Sequence, residues 1–283
     1  MDKRNCESIY AIAPLPDFII KRVKPYRAKL YLTKMIERKI DDLDQNGPDG
    51  STLSSMVYAV DEEGQSKRLS RQEIIDNALL LIIAGSETSA NTLTNAFFLI
   101  GSHPGVWENL VFEQIACLQK FGPDLSKKQF ETDYPYLDAV IKETMRIVPI
   151  SGGGIRDVDK TLVMDGVQIP KGSWGMYSIP LTHEQDPITW KKDGSHMDAA
   201  LGFCPERWLD ESTRPTTEFM PWGAGHRFCL GHTLATAEMK VFLSVMSRRV
   251  KSFKLLTDAK KVGWKEGIIT TPKDGVVVSA VPR

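Results

Sequence analysis

Residues 219–231 read FMPWGAGHRFCLG and place Cys229 in a glycine-punctuated loop. Glycine allows positive φ angles, and it lets a flat ligand approach the backbone closely. The next residues, 232–249, lack proline and glycine and carry apolar residues at helical spacing, so they predict a helix. A thiol at a helix N-terminus has its anion favoured by unpaired N–H groups and by the helix dipole. Arg227 adds a fixed positive charge, and Cys229 is therefore a candidate nucleophile or ligand for a soft metal.

Cys229 has two other interpretations. A lone cysteine is most often a small buried hydrophobic residue. With His226 and His232 it also forms a His-x2-Cys-x2-His pattern, which would suit zinc. Zinc sites need four ligands, however, and no second paired cluster lies near this one in the sequence.

The composition favours a large core in one or two domains, because 42% of the 283 residues are hydrophobic. Lys and Arg (36) balance Asp and Glu (36), which argues against a nucleic-acid binder that works through bulk electrostatics. Four cysteines without a close pair, Cys6 among them, indicate reduced thiols. No targeting segment is visible, and the longest apolar block, 78–84, is shorter than the membrane span of about 20 residues.

Periodicity and breaker residues predict a mainly α fold with small β-sheets. Ser70 and Glu73 fit a capping box at the start of a long helix. An Asp-Gly turn predicts a hairpin over 163–167, and alternation predicts short strands over 268–281. A polar loop is expected over 61–68. Helices before residue 232 are predicted over 22–44, 52–60, 70–100, 104–121 and 136–147.

The long helix carries a second unusual stretch, residues 84–89, which read AGSETS. The helix is apolar nearly all round over 78–84, so it is expected to be central and buried, with Glu87 in a position where burial is expected. Gly85 costs about 1 kcal/mol relative to alanine in a helix interior. A local opening of the backbone ladder would accept this cost to admit a ligand. A packing helix bent by its Ser and Thr side chains is the alternative.

Glu143 and Arg146 stand three residues apart and share one helix face. On spacing alone, an exposed surface pair worth a few tenths of a kcal/mol is the simplest interpretation. Arg156 follows a run of glycines at 152–154, and it too reads as an ordinary surface arginine.

Residues 219–231, the cysteine loop, resemble the heme-binding signature of the cytochrome P450 superfamily, the heme-thiolate monooxygenases. Trp222 stands where a second phenylalanine is usual. The resemblance implies that the Cys229 thiolate is the axial ligand of the iron of heme b and that it favours O–O cleavage. It also implies that Arg227 pairs with a heme propionate. The heme-binding residues so implied are Ala84, Gly85, Arg156, Phe219, Trp222, Gly223, Gly225, Arg227, Cys229 and Gly231.

Residues 84–89 are similar to the oxygen-binding helix motif of the same superfamily. The resemblance implies that Ala84 and Gly85 border the oxygen site. Thr88 would hold a water chain beside bound dioxygen, and Glu87 would supply protons, which makes both residues catalytic candidates. General acid assistance of this kind typically contributes about 10²–10⁴-fold to a rate.

Two further motifs resemble those of the superfamily. Glu143 and Arg146 match its Glu-x-x-Arg helix, and Arg207 lies in the partner motif PERW at 205–208. The resemblance implies that these three charged residues form one buried network that holds the cysteine loop. It also places Arg156 on a strand edge near a propionate. Residues 183–187, HEQDP, are similar to a His-Arg-Asp-Pro stretch without a clear catalytic role, and 191–201 looks like a small insertion.

The resemblance implies that residues 1–283 are the C-terminal portion of a single heme-thiolate monooxygenase domain, with a long central helix over the heme. The N-terminal part and any membrane anchor are expected to be absent, and a full-length parent attached to the endoplasmic reticulum or an organelle membrane is compatible with this. The implied activity inserts one oxygen atom of O₂ into an apolar organic substrate. Electrons would come from a separate reductase or ferredoxin, because no flavin or iron–sulfur motif is present. The alternative is a non-catalytic fragment or heme-binding remnant of such an enzyme.

Overall fold

The computed structural model describes residues 24–60, 68–124, 126–216, 218–265 and 269–283. Cys6, almost all of the polar loop expected over 61–68, and residue 268 at the start of the predicted C-terminal strands lie outside the described residues. The chain divides into two compact units, one ending at Ser86 and the other spanning Glu87–Arg283.

Helices dominate both units, as the periodicity predicts. The capping box at the start of the long helix is confirmed, because the Ser70 N–H donates to Glu73 Oε2 at 2.7 Å and the Glu73 N–H donates to Ser70 Oγ at 3.3 Å. The helices are α1 Lys24–Asn46, α2 Thr52–Tyr58, α3 Arg71–Ser102, α4 Pro104–Phe121, α5 Lys127–Thr132, α6 Pro135–Ile147, α7 Ile179–Glu184 and α8 His232–Arg249.

The strands pair two by two, and every pair is antiparallel. The hairpin predicted from its Asp-Gly turn is confirmed, with Asp165 at φ 48° and Gly166 at φ 78° between β2 and β3. The pairs are β1 Gly153–Asp157 with β4 Trp174–Ser178, β2 Leu162–Met164 with β3 Val167–Ile169, β5 Val250–Leu255 with β8 Val278–Pro282, and β6 Trp264–Lys265 with β7 Thr271–Pro272.

Each unit has its own apolar core. In the first unit, Ile36 and Ile40 of α1 pack against Ile74, Ile75 and Leu79 of α3. In the second unit the core is larger and joins the end of α3 to α4, α6, α8 and β5. Its least exposed apolar side chains are Leu99, Ile100, Leu110, Leu137, Val140 and Leu243.

The middle of α3 differs from its predicted burial. Leu80 through Ile83 are 37–60% exposed, and Glu87 is also exposed. The burial expected over 78–84 and at Glu87 is therefore confirmed for Ala78 and Leu79 and wrong for 80–84 and Glu87. An apolar run that lacks a polar face can signal either burial or an apolar surface, because periodicity reports hydrophobicity and not which faces are covered.

Short helices α5 and α7 were not predicted. Both are six residues long, and their first turns depend on local side-chain caps rather than on apolar periodicity. Ser126 and Gln129 form a capping box in α5, and Ser178 accepts a hydrogen bond from the Leu181 N–H in α7.

Candidate functional site

The cysteine loop is closed by its own backbone. The Gly223 N–H donates to the Met220 carbonyl at 3.0 Å, and the Cys229 N–H donates to the Trp222 carbonyl at 3.0 Å. Between these bonds the chain makes a 3₁₀ turn at Gly225–Arg227. Cys229 therefore lies at a fixed place just before α8, and Gly231 is the N-cap residue of that helix.

Two glycines make this path possible. Gly223 has φ 74° and Gly225 has φ 64°, in the left-handed region that other residues rarely adopt. A Cβ added at Gly225 or at Gly231 would meet no heavy atom within 4 Å, so the surface beside both residues is open. The prediction that glycines give this loop positive φ angles is confirmed for Gly223 and Gly225 and wrong for Gly231, which has φ −88°.

The residues next to Cys229 in the chain expose large apolar side chains. Cys229 is a free, partly buried thiol, whereas Leu230 is 86% exposed and Leu234 is 66% exposed. Phe228 is 44% exposed and its ring packs against the His232 ring, with centroids 4.8 Å apart. A single sulfur donor next to exposed apolar side chains suits a flat apolar ligand that is held through sulfur.

A zinc site gains no support from this geometry. Among the residues that the structure describes, which include all three members of the His-x2-Cys-x2-His pattern, no group of three or more His, Cys, Asp or Glu side chains is placed to hold a metal ion. His232 instead uses its ring nitrogens within its own turn, at 3.1 Å from the Cys229 carbonyl and 3.1 Å from the Thr233 hydroxyl.

Arg156 is placed beside the cysteine loop by Tyr177. The guanidinium lies over the Tyr177 ring at 5.2 Å, and its Nη2 donates to the Tyr177 hydroxyl at 3.4 Å. The same hydroxyl would lie 3.7 Å from a Cβ added at Gly223. Arg156 is exposed, on strand β1, as the strand-edge placement expects. Arg227 is exposed within the loop. The two arginines thus provide positive charge on this side of the second unit.

Glu143 and Arg146 are buried, and their interpretation as an exposed surface pair is wrong. Their side chains are 0% and 1% exposed, and Arg146 donates to both carboxylate oxygens at 2.8 and 2.9 Å. Arg207 donates to Glu143 at 2.9 Å, and the Trp208 ring N–H does so at 2.9 Å. The three charged residues named from the sequence are therefore brought together in one network, which was out of reach of spacing alone.

Segment 191–201 contributes to that network through His196 and Met197. Arg146 Nη2 donates to the His196 carbonyl at 2.8 Å and to the Gly202 carbonyl at 3.0 Å, and Nη1 lies 3.3 Å from Met197 Sδ. Sequence reasoning missed these partners because backbone carbonyls carry no residue-type signal. The network reaches the cysteine loop through Phe219, whose ring centroid lies 4.6 Å from that of Trp208.

The AGSETS stretch forms a regular part of α3. Ala84, Gly85 and Glu87 are exposed, and Thr88 is partly buried. The helix is continuous through Gly85, so the expected local opening is not seen. The Ser86 hydroxyl donates to the Ile82 carbonyl at 2.7 Å, as the alternative of a Ser/Thr packing helix expects. This hydrogen bond lies within α3 and does not link the stretch to Cys229.

A cleft of about 630 Å³ lies in the second unit, beside the end of α6 and the start of β1. Phe98, Ile147, Gly152 and Trp264 are among its lining residues. Ser102, Ser178, Asp198 and Thr270 also line it, so the cleft is mixed in polarity.

Comparison with known proteins identifies the class. The family model "Cytochrome P450" matches residues 8–277. The putative cytochrome P450 120 of Synechocystis is 32% identical over 81% of this chain and 49% of its own length. Cytochrome P450 26B1 of Danio rerio is 34% identical over 77% of this chain and 43% of its own. A solved structure of retinoic acid-bound cyanobacterial CYP120A1 superposes with a TM-score of 0.81 at 29% identity, covering 96% of this chain and 59% of that one.

The chain belongs to the cytochrome P450 family, whose members bind heme and act as monooxygenases. The resemblance drawn from the cysteine loop and the fold class it implied are thereby confirmed. The chain spans about half the length of the curated relatives it matches. No helix within the described residues has the length and hydropathy needed to cross a membrane.

Proposed function

We propose that this protein is a heme b-dependent monooxygenase that inserts one oxygen atom of O₂ into an apolar organic substrate. Electrons come from a separate reductase or ferredoxin. The observation that carries the proposal is the Cys229 thiol in a chain of the cytochrome P450 family. The loop that presents this thiol is closed by the hydrogen bond from the Cys229 N–H to the Trp222 carbonyl.

The residues around Cys229 fit a heme. One thiol offers a single axial ligand, and the exposed side chains of Phe228, Leu230 and Leu234 offer apolar surface. The open space beside Gly225 and Gly231 admits a flat ring close to the backbone. When bound, heme supplies the oxygen chemistry of the reaction, and the thiolate tunes it.

The remaining site residues hold the cofactor and move protons. Arg156 and Arg227 supply exposed guanidinium groups that can pair with the two carboxylate side chains of heme. A guanidinium group binds a carboxylate well because it can donate two parallel hydrogen bonds. On α3, the small residues Ala84 and Gly85 leave space beside the helix for the oxygen site. The Thr88 hydroxyl and the Glu87 carboxylate pass protons toward that site. Glu143, Arg146 and Arg207 take no part in bond chemistry, and their role is to keep the cysteine loop in place.

The substrate is proposed to be apolar because the surface offered by α3 is apolar, with Ile82 and Ile83 44% and 60% exposed. Retinoic acid, which is bound in the cyanobacterial CYP120A1 structure, is a largely apolar molecule of this kind.

The proposal is tested by replacing Cys229. In the heme-reconstituted, reduced protein, CO should produce the long-wavelength Soret band of thiolate-ligated heme. Cys229→Ser should abolish that band, because a serine hydroxyl does not replace thiolate as the axial ligand. Cys204→Ser, at a second partly buried free thiol of the described residues, is the matched control and should keep the band. A long-wavelength band that survives in Cys229→Ser would disprove the assignment.

A further inference from the structure

Residues 183–187 (HEQDP) received no catalytic role from the sequence, yet they contain two almost fully buried polar side chains. His183 and Asp186 are each 1% exposed. Both reach across to the chain that enters the cysteine loop. Buried polar side chains are almost always hydrogen-bonded, so the hydrogen-bond partners of His183 and Asp186 indicate which segments they hold together.

The His183 ring bridges the end of α6 and the first residues of the cysteine loop. Its Nδ1 lies 3.2 Å from the Arg146 carbonyl, and its Nε2 accepts the Met220 N–H at 3.0 Å. An amide can only donate, so Nε2 carries no proton and Nδ1–H donates to the carbonyl. Burial lowers the pKa of His183 to about 4, which keeps the ring neutral and preserves this tautomer near neutral pH.

Asp186 holds the same segment four residues earlier. Its Oδ2 accepts the Thr216 N–H at 2.7 Å and lies 2.8 Å from the Thr216 hydroxyl. Its Oδ1 accepts the Ile188 and Thr189 N–H groups at 3.0 and 3.1 Å, which fixes the carboxylate within its own turn. The carboxylate therefore joins one rigid turn to the approach of the cysteine loop.

Two backbone hydrogen bonds connect these anchors to Cys229. Met220 accepts from the Gly223 N–H, and Trp222 accepts from the Cys229 N–H. Phe219, between the two anchored residues, packs on the His183 ring with centroids 5.3 Å apart. Met220 is thus linked to Cys229 by two backbone hydrogen bonds and the peptide bond between Trp222 and Gly223.

We propose that His183 and Asp186 are positioning residues of the cysteine loop, which fix Met220 and Thr216 against the Arg146 end of α6 and so set the position of Cys229. The proposal rests on the proposed function only where the heme spectrum is used as a readout. It gives the HEQDP stretch a role in sulfur placement that is distinct from the charge network on Glu143.

Two substitutions at His183 separate its two bonds. His183→Asn keeps a donor near the position of Nδ1 and removes the acceptor for Met220. His183→Gln places an oxygen near the position of Nε2 and keeps that acceptor. In the heme-free protein, loss of the acceptor should speed exchange of the Met220 amide about tenfold or more, since a buried N–H is left unpaired. His183→Gln should stay within about twofold of wild type.

Asp186→Asn tests the second anchor. Both carboxylate oxygens of Asp186 accept N–H groups, and asparagine replaces one of these oxygens with an NH₂ group that cannot accept. Exchange of the Thr216 amide should rise about tenfold. The matched control is Asp193→Asn, at an exposed aspartate that accepts the Ser195 N–H at 3.0 Å within its own turn. That control should leave both the Thr216 and Met220 amides unchanged, as should core amides such as Leu137 in every variant.

The heme-loaded protein supplies a second readout. In reduced, CO-bound samples the share of the long-wavelength band should fall in His183→Asn and be restored in His183→Gln. A general loss of stability would not discriminate between the two. If wild type lacks that band, the proposed function fails while amide exchange still tests the anchors. If His183→Asn matches wild type in Met220 exchange and in the spectrum, the positioning role is overturned.

Discussion

Gly153 and Gly154 show how closely one neighbour constrains β1. Gly153 has φ 134°, and a Cβ there would lie 1.9 Å from the Tyr177 carbonyl oxygen. A Cβ at Gly154 would lie 2.8 Å from the Tyr177 hydroxyl. Gly153 and Gly154 are therefore in close contact with Tyr177 of β4. The ring of the same tyrosine lies under the Arg156 guanidinium. Glycine at these two positions lets the strand that presents Arg156 pair closely with its partner.

His183 should also make stability depend on pH. Its folded pKa, about 4, lies below the value of about 6.5 expected when unfolded, so the unfolded chain binds the proton more readily between these values. The free energy of unfolding should therefore fall as pH drops from about 6.5 toward 4, by up to about 3 kcal/mol, and this loss is absent above pH 7.

Urea unfolding of wild type and His183→Gln at pH 7 and pH 5 checks this prediction. Glutamine does not titrate, so the variant should lose less stability on acidification than wild type. Equal pH dependence in the two proteins would show that other groups, and not His183, set the acid sensitivity.

Helix α6 joins the second unit at both of its ends. At its start, the Glu113 carboxylate from α4 accepts the Tyr136 and Leu137 N–H groups at 2.6 and 2.9 Å, and so caps a helix that lacks a side-chain N-cap. Near its end, Glu143 collects donors from Arg146 and Arg207. A single helix thus receives hydrogen bonds from several segments of the chain, and its place is over-determined.

The Glu143 network should behave as one unit on mutation. Arg146→Ala and Arg207→Ala each leave Glu143 with an incompletely paired buried charge. Arg146→Ala should lower the free energy of unfolding by about 3–5 kcal/mol, and Arg207→Ala by less because Arg207 is 16% exposed. The double variant should lose clearly less than the sum of the two, since both act through the same carboxylate.

Chemical denaturation of the two single variants and the double variant measures this coupling. Lys120→Ala in α4 is the control, because its side chain is 69% exposed and its ion pair with Asp133, at 3.6 Å, is worth at most about 1 kcal/mol. Strictly additive losses would mean that the two arginines stabilise the protein independently.

The whole molecule has cores of unequal size in its two units. The unit that ends at Ser86 buries a small apolar cluster, whereas Glu87–Arg283 contains a much larger one. Local opening requires less free energy where fewer apolar side chains are buried. Stability is therefore expected to differ along the chain.

Amide exchange should reveal this difference. Amides of α1 should exchange about tenfold or more faster than those of α6, because fewer buried contacts oppose opening of the first unit. Ile40→Ala, at a side chain 3% exposed, should accelerate exchange in α1 and leave α6 unaffected. Leu137→Ala in α6 is the reciprocal variant. Equal acceleration of both helices by Ile40→Ala would indicate that the two units open together.

Local sequence signals were enough for much of the fold. The Ser70 capping box, the Asp165-Gly166 turn and the start of α8 after Gly231 all depend on residues within a few positions of one another. Such features follow from backbone sterics and nearby hydrogen bonds, which the order of residues contains directly. The pattern in the cysteine loop also identified the family.

The tertiary structure decided the burial and the partners that local spacing leaves open. Spacing left Glu143 and Arg146 as an exposed pair, and it made α3 buried where Ile82 and Ile83 are exposed. His183 had no assigned role until the Met220 N–H was seen on its ring. Side-chain burial and hydrogen bonds between residues tens of positions apart depend on how the elements pack, and amphipathic periodicity carries no record of which partner covers which face.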